Sequence, residues 1–253
     1  MAISRKKTLK LSNVKVRRQD KLAIGGLDLE VPAGELHVLM GPNGSGKSSL
    51  AYALMGHPSY RVVSGSVSLD GRRISGLGPD QRSVLGLFLS PQVPPEVSGV
   101  GLASVLRAAV NRHRPKPADA ASFRGELLGA LEAVGLPPSF ADRNLNENFS
   151  GGERKRSELM QLLLLRPKYA VLDEIDSGLD VDGLKTVAEV LEAVRRSGTG
   201  ILLITHYGRL LRVLKPKRVH IMIEGRLVRS GGPKLAESVE SSGFRGFLVQ
   251  GKK

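Results

Sequence analysis

The sequence predicts an α/β fold with an antiparallel β edge and an inserted helical segment. Three observations support this fold class. An apolar segment at 35–40 leads into a glycine-rich loop and then a helical pattern. A second apolar segment, at 169–174, ends in two acids. Between them, at 93–166, prolines punctuate helical patterns and no strand pattern occurs.

The glycine-rich loop matches G-x-x-x-x-G-K-[ST], the pattern of a phosphate-binding loop. Glycines let backbone N–H groups approach phosphate oxygens, and the positive end of the next helix points at the same anion. We expect Lys47 to bridge the β- and γ-phosphates and Ser48 to ligate Mg²⁺. A glycine-rich turn could match by accident, but the flanking strand and helix favour a nucleoside-triphosphate site. The expected binding residues are Gly41, Pro42, Asn43, Gly44, Ser45, Gly46, Lys47, Ser48 and Ser49.

The other elements follow from apolar spacing and turn residues. Before the loop, strands are predicted at 8–16, 22–31 and 35–40, with turns at 17–20 and 32–34. After it come a helix at 49–55, an antiparallel edge piece at 61–70 and a buried strand at 85–89. Further on, we expect helices at 101–112, 119–135 and 150–165, a strand at 169–174, a helix at 182–196 and a strand at 201–205. A short helix at 207–214, a hairpin-like pair at 218–223 and 226–229 and a helix at 233–243 complete the chain.

The chain of 253 residues is long enough for one large domain with a substantial lobe. We expect a single domain over 1–253. In this division, 1–92 and 167–253 form the α/β core, and 93–166 form a helical subdomain.

Composition narrows the possible functions. The chain has no cysteine, which excludes disulfides, a thiolate nucleophile and a cysteine-ligated metal or iron–sulfur cluster within it. No apolar run approaches the roughly 18 residues of a membrane span, and the first residues lack the apolar core of a secretory signal. We therefore expect a cytoplasmic protein.

The net charge of +14 is concentrated in two segments. Residues 1–21 carry eight Lys or Arg against one Asp, and residues 208–234 carry eight against one Glu. Such clusters could mark a nucleic-acid interface. However, only 4% of the residues are aromatic and there is no Trp, so surfaces on which bases stack are scarce. A solvated basic surface or an acidic partner is the commoner explanation.

Asp173 and Glu174 stand where a predicted strand ends, which is the edge of a parallel sheet where ligands bind. The first acid can hold Mg²⁺, usually through water. The second can accept the proton of the water that attacks the γ-phosphate. Alternatively, the pair could simply begin a loop or cap the following residues. The phosphate-binding loop upstream favours the catalytic interpretation.

The stretch Ser150-Gly151-Gly152-Glu153 opens a predicted helix. Ser and Glu three residues apart form a capping box, which could serve local stability alone. Two glycines in the first turn nevertheless destabilise a helix. The presence of both glycines would be explained if the backbone amides of this turn approach a second phosphate.

These motifs, in this order, resemble those of ATP-binding-cassette (ABC) ATPases over nearly the whole chain. The resemblance implies a P-loop NTPase fold with a RecA-like core, an antiparallel β edge and an inserted helical subdomain. The motifs that carry it are the loop at 41–48, Gln92 after a strand, Ser150-Gly151-Gly152, Asp173-Glu174, Ser177-Gly178-Leu179-Asp180 and His206.

Within this superfamily the chain is similar to the SufC family, the ATPases of the Suf iron–sulfur cluster assembly machinery. Glu153 replaces the usual signature Gln, and Asp176 stands where transporters commonly have Thr or Pro. Both features favour the SufC family over transporter cassettes. The similar stretches are FSGGERKR at 149–156, LDEIDSGLD at 172–180, ITHYGRLL at 204–211 and the LKP and VH of 214–220.

The resemblance also implies residue roles. Glu174 and His206 would be catalytic, with His206 bonded to the γ-phosphate, although a lone His there could be structural. Gln92 would sense the γ-phosphate, unless it is a plain loop residue. The implied Mg²⁺ ligands are Ser48, Gln92 and, through water, Asp173. The implied contacts to ATP held by another cassette, and to that cassette, are Ser150, Gly151, Gly152, Glu153 and Asp180.

One departure concerns the base of ATP. Cassette proteins usually place an aromatic ring near the turn after the first strand, where it stacks on adenine. Residues 16–21 here contain no aromatic residue. Val16 or an Arg guanidinium plane could cover the base instead.

The resemblance implies Mg²⁺-dependent ATP hydrolysis at composite sites between two cassettes that face head to tail. A second copy in the ATP-closed state and SufB-like and SufD-like scaffold proteins would be the partners, and the isolated chain would be mainly monomeric. A chain without cysteine fits a subunit that binds no iron–sulfur cluster itself. No direct contact with a membrane is expected. The alternatives are a transporter's nucleotide-binding subunit and, prompted by the charge, a nucleic-acid-associated cassette protein. The latter usually has a long coiled-coil insertion or a second cassette, and neither is present.

Overall fold

The computed structural model describes residues 7–205 and 208–248. The strands are β1 Thr8–Arg18, β2 Lys21–Pro32, β3 Leu36–Met40, β4 Tyr60–Leu69, β5 Arg72–Arg73, β6 Leu87–Ser90, β7 Tyr169–Asp173, β8 Gly200–Ile204, β9 Arg218–Ile223 and β10 Arg226–Gly231. The helices are α1 Lys47–Met55, α2 Pro79–Val84, α3 Leu102–Arg112, α4 Ala120–Ala133, α5 Gly151–Leu165, α6 Val181–Arg196, α7 Gly208–Leu214, α8 Lys234–Ser242 and α9 Arg245–Leu248, with a 3₁₀ turn at Pro138–Asp142.

Two sheets organise these elements. The larger has the order β10-β9-β3-β8-β7-β6, in which all neighbours are parallel except the antiparallel pair β9 and β10. The smaller has the order β2-β1-β4-β5 and is antiparallel throughout. The predicted α/β class with an antiparallel β edge is therefore confirmed.

Parallel pairing brings the important loops to one edge. Strands β3, β7 and β8 are buried at every residue, as expected when both faces of a sheet are covered. The carboxyl end of β3 leads into the glycine-rich loop, that of β6 towards Gln92, and that of β7 into Glu174. In parallel sheets this edge is where ligands bind.

The apolar core lies in two clusters on opposite sides of the larger sheet. One contains α3, α4, α5 and α6 residues such as Leu106, Leu127, Leu159 and Leu191. The other joins α1 to the inner face of the smaller sheet through residues such as Leu50. None of the helices in the described part of the chain combines the length and hydropathy needed to cross a membrane.

Some elements differ from the sequence-based prediction. Predicted strand 85–89 begins only at Leu87, because Leu85 caps α2 and Gly86 adopts a φ of +101° that interrupts extended backbone. The sequence-based prediction missed four elements, namely α2, the 3₁₀ turn, β5 and α9. Each is short, so its apolar periodicity is too brief to distinguish it from a loop.

Arg82 joins α2 to the end of α1. Its side chain is 2% exposed and donates hydrogen bonds to four carbonyls, those of Ala53 at 2.8 Å, Leu54 at 2.6 Å, Leu77 at 2.9 Å and Ser75 at 3.1 Å. Two of these belong to the last turn of α1, where helix carbonyls lack partners within the helix. Arg82 therefore acts as a cap supplied from elsewhere in the chain.

We expect Arg82→Met to lower the free energy of unfolding by about 3 kcal/mol, because an unsatisfied buried acceptor costs roughly 1–3 kcal/mol. Urea unfolding followed by circular dichroism measures the change. Arg72→Met, at an exposed position on β5, is the control and should change stability by less than about 0.5 kcal/mol. Equal stabilities of the Arg82 variant and the control would contradict this account.

Candidate nucleotide-binding site

The glycine-rich loop connects β3 to α1 as the sequence predicted. A Cβ on Gly41 would lie 2.2 Å from the Met222 carbonyl oxygen, so this position admits only glycine. Gly46 precedes α1 with a φ of +105°, a conformation that other residues rarely adopt. The loop is thereby held against β9 and ends at the first turn of α1, whose N–H groups are free for an anion.

Lys47 lies inside this loop. Its Nζ donates to the Gly41 carbonyl at 2.8 Å and the Pro42 carbonyl at 3.0 Å. Burial lowers the pKa of Lys47, and the nearby carboxylates of Glu174 and Asp173 oppose that shift. A phosphate would attract the ammonium more strongly than these neutral carbonyls, because hydrogen bonds between charged groups are the stronger ones.

Asp173 is a buried carboxylate that a nearby cation would stabilise. It is 1% exposed, and among the described residues neither carboxylate oxygen accepts a hydrogen bond of normal geometry. Burial raises the pKa of Asp173, while the neighbouring Ser48 hydroxyl and the charge of Lys47 act in the opposite direction. A buried carboxylate without partners is unfavourable, and a cation nearby would compensate it.

These residues fit Mg²⁺. The Ser48 hydroxyl, the Gln92 amide and the Asp173 carboxylate supply the oxygen ligands that Mg²⁺ prefers. Among the residues that the structure describes, no group of three or more His, Asp or Glu could hold a metal ion. Mg²⁺ is usually held by one or two carboxylates together with phosphates and water.

Glu174 and Gln92 meet at the wall of a cleft of about 580 Å³. The Gln92 Nε2 donates to Glu174 Oε2 at 2.7 Å, although the two residues are 82 positions apart. Glu174 has a φ of +52°, so the chain turns sharply directly after β7. The cleft is lined by Arg18, Asn43, Gly44, Gly46, Lys47, Ser48, Ser49, Gln92 and Glu174.

Lys155 links this wall to α5, and sequence reasoning missed it. Its Nζ donates to the Gln92 carbonyl at 2.6 Å, and the residue is only 5% exposed. Burial lowers the pKa of Lys155, and the buried Glu158 is the largest opposing influence. In the sequence it stands in the charged run Glu153-Arg154-Lys155-Arg156, where nothing distinguishes it from a solvated residue.

The residues expected to contact a second cassette do not line the cleft. Ser150 and Glu153 form the capping box of α5, in which Ser150 N donates to Glu153 Oε2 at 2.7 Å and Glu153 N donates to Ser150 Oγ at 3.3 Å. Asp180 is exposed and caps α6 by accepting from Gly183 N at 2.8 Å. The structure thus brings Lys47, Ser48, Gln92 and Glu174 together and leaves Ser150–Glu153 and Asp180 elsewhere.

His206 lies outside the described residues. The residue before it, Thr205, donates from Oγ1 to Asp176 Oδ2 at 2.6 Å. This bond ties the end of β8 to the loop that follows Glu174. Asp176 therefore connects two of the loops at this edge, a role that its position in the sequence does not indicate.

Comparisons with known proteins agree with this geometry. The family described as ABC transporter matches residues 24–177. Vegetative protein 296 of Bacillus subtilis is 45% identical over 239 residues, covering 94% of this chain and 92% of that protein. The probable ATP-dependent transporter ycf16 of Cyanophora paradoxa is 40% identical, with 96% of each chain covered.

A solved structure shares the fold. The dimeric, post-hydrolysis ATP-binding cassette MJ0796, bound to ADP and Pi, superimposes with a TM-score of 0.78 at 20% identity, over 89% of this chain and 98% of that one. With the phosphate-binding loop, the acids at the end of β7 and the family match in agreement, the chain belongs to the ABC transporter family and is one of its ATP-binding cassettes.

Proposed function

We propose that this cassette is a Mg²⁺-dependent ATPase that works as a pair of identical chains and moves a SufB/SufD-type scaffold during iron–sulfur cluster assembly. The observation that carries the ATPase part is the convergence of Lys47, Ser48, Gln92 and Glu174 on one cleft, with the buried Asp173 carboxylate close enough to influence Lys47. Lys47 binds the β- and γ-phosphates. Ser48, Gln92 and, through water, Asp173 would hold Mg²⁺, and the bound ion would neutralise charge on the phosphates.

Glu174 is the general base in this proposal. Its carboxylate stands in the wall of the cleft, and Gln92 fixes one oxygen by a hydrogen bond of 2.7 Å. A carboxylate in this position accepts the proton of a water that attacks the γ-phosphate. The water oxygen bonds to the γ-phosphorus as the bond to the β–γ bridging oxygen breaks, which releases ADP and inorganic phosphate. The Lys47 ammonium offsets the negative charge on the phosphate oxygens during this transfer.

The glycines of α5 support a composite site. A Cβ on Gly151 would meet no atom within 4 Å, and one on Gly152 would meet only a Leu179 methyl at 3.6 Å. Packing within this chain therefore explains neither glycine, although both weaken the first turn of α5. A phosphate held by a second copy, approaching the N–H groups at the start of α5, does explain them.

The Suf part of the proposal depends on Glu153 and Asp176. In the structure both have local roles, because Glu153 closes the capping box and Asp176 accepts from Thr205. The stretches around them are the ones most similar to the SufC family. A chain without cysteine can supply motion while the scaffold holds the nascent cluster.

The experiment is affinity purification of the Glu174→Gln variant from its native cytosol with ATP and Mg²⁺. Loss of the base traps the closed pair and keeps its partners attached. We expect soluble scaffold proteins that contain cysteine to co-purify, and the wild-type chain with ADP to retain less of them.

Other outcomes would change the proposal. The relative named as a probable ATP-dependent transporter favours a second candidate, the nucleotide-binding subunit of a transporter. A membrane permease in the eluate would replace the Suf role by that one. Nuclease-sensitive material would instead indicate a nucleic-acid-associated cassette.

A further inference from the structure

The segment that leads into α5 has an unusual backbone. Residues 143–149, which we call the entry turn, directly precede Ser150. Asn146 and Asn148 in this turn both have left-handed backbone, with φ of +58° and +55°. Asparagine tolerates this conformation better than most residues, but the conformation persists only where surrounding contacts fix it. The contacts of the entry turn therefore determine where α5 begins.

Asn146 connects the entry turn to a different part of the chain. The residue is 1% exposed, and its Nδ2 donates to the Pro95 carbonyl at 2.8 Å. Pro95 follows Gln92 by three positions. Within the part of the chain that the structure describes, the buried Asn146 Oδ1 accepts no hydrogen bond. Because an unpaired buried acceptor is unfavourable, the gain from an amide at this position lies in the bond that Nδ2 makes.

Other bonds run beside that of Asn146. Val97 N donates to the Leu145 carbonyl at 3.0 Å, and Leu145 N donates to the Val100 carbonyl at 2.9 Å. Arg154, in α5, donates from Nη2 to Glu96 Oε2 at 2.9 Å. The segment 95–100 is thus fixed against both the entry turn and α5.

Arg143 also stabilises the entry turn. Its Cζ lies 4.5 Å from the centres of both the Phe140 and the Phe149 rings, which is close enough for cation–π contacts. The same guanidinium donates to two backbone carbonyls of the turn, at 3.2 and 3.3 Å. Since Phe149 directly precedes Ser150, these contacts and the bond of Asn146 together fix the start of α5.

We infer that Asn146 is a positioning residue for the composite site. By bonding to the Pro95 carbonyl, it holds Ser150 and the first N–H groups of α5 where they receive the γ-phosphate of ATP bound to the other chain. This inference rests on the proposed pairing of two chains and adds the residue that places one half of the shared site. Asn146 acts through the entry turn, because it does not line the nucleotide cleft of its own chain.

Asn146→Gly removes the bond to Pro95 while keeping the backbone conformation, because glycine adopts a left-handed φ readily. At saturating ATP and high chain concentration, we expect its ATPase rate to fall about tenfold or more, since a small misplacement of a positioning group can cost up to about 10²-fold. Calorimetric titration with ADP, which reports the chain's own cleft, should give wild-type affinity. Asn148→Gly, with the same left-handed backbone at an exposed position, is the matched control and should keep the wild-type rate.

Mixing experiments show which half of the composite site is affected. In a pair formed by an Asn146→Gly chain and a Lys47→Ala chain, the intact cleft of the first faces the intact start of α5 in the second. An equal mixture should therefore recover about a quarter of the wild-type rate, because half of the pairs are mixed and each mixed pair has one intact site. Mixing with Gly151→Asp, which carries a carboxylate at the start of α5, should give nothing beyond the residual rate of Asn146→Gly.

Recovery with Gly151→Asp, or with neither variant, would overturn the inference. The former outcome would assign Asn146 to the cleft of its own chain, through the segment after Gln92. An unchanged rate in Asn146→Gly, or a loss of ADP affinity in parallel with the rate, would also overturn it. A wild-type rate per chain that does not rise with chain concentration would instead refute the proposed pairing of two chains.

Discussion

Glu174→Gln is expected to lower the ATPase rate by about 10²–10⁴-fold, the range that a positioned general base contributes. Glutamine has the same shape and can still accept the hydrogen bond that Gln92 donates to Oε2 at 2.7 Å. It cannot take a proton from water. The variant should therefore bind ATP with wild-type affinity while its turnover, measured as phosphate release at high protein concentration, almost disappears.

The control for this variant is Glu189→Gln on the exposed side of α6, where Glu189 has only a 4.0 Å ion pair with Lys185. We expect wild-type turnover from it. If Glu174→Gln kept more than about a tenth of the activity, general-base catalysis by Glu174 would be excluded. Loss of ATP binding in parallel would point to damage of the cleft rather than to loss of the base.

The second large effect is a loss of ATPase activity in variants of the composite site that two chains are proposed to share. Lys47→Ala removes the phosphate-binding ammonium, and Gly151→Asp places a carboxylate where the γ-phosphate of the other chain is proposed to bind. Each variant alone should lose nearly all ATPase activity. Gly151→Asp should still fold, because a Cβ there meets no atom within 4 Å and an acid in the first turn of α5 favours the helix dipole.

An equal mixture of the two variants should recover about a quarter of the wild-type rate, because half of the pairs are mixed and each mixed pair has one intact site. The double variant Lys47→Ala/Gly151→Asp is the control, since mixing it with either single variant leaves no intact site. The rate of phosphate release, measured as a function of total chain concentration, gives the activity of the test mixture and of the control mixtures. Full activity of Gly151→Asp alone would contradict a site shared between chains.

The local sequence was sufficient for the elements that carry the site. The 41–48 loop, the strand into Asp173 and the helix opening at Ser150 were predicted because each is specified by residues adjacent in the chain. The short α2 was missed, and with it Arg82, whose role as a cap for α1 depends on carbonyls 28 and 29 positions away. Its hydrogen bonds cannot be inferred from neighbours in the sequence.

By itself, the sequence determined the phosphate-binding loop, the paired acids and the order of the cassette motifs, since these are short strings with their own backbone requirements. Only the tertiary structure shows which of these motifs are in contact with one another. Parallel pairing of β6 with β7 brings Gln92 to Glu174, and packing of α5 brings the Lys155 ammonium to the Gln92 carbonyl, 63 positions away. Pairing of β1 with β4 likewise places Arg18 over Tyr60. These contacts between residues distant in sequence depend on strand order and register, which are determined by burial across the whole sheet.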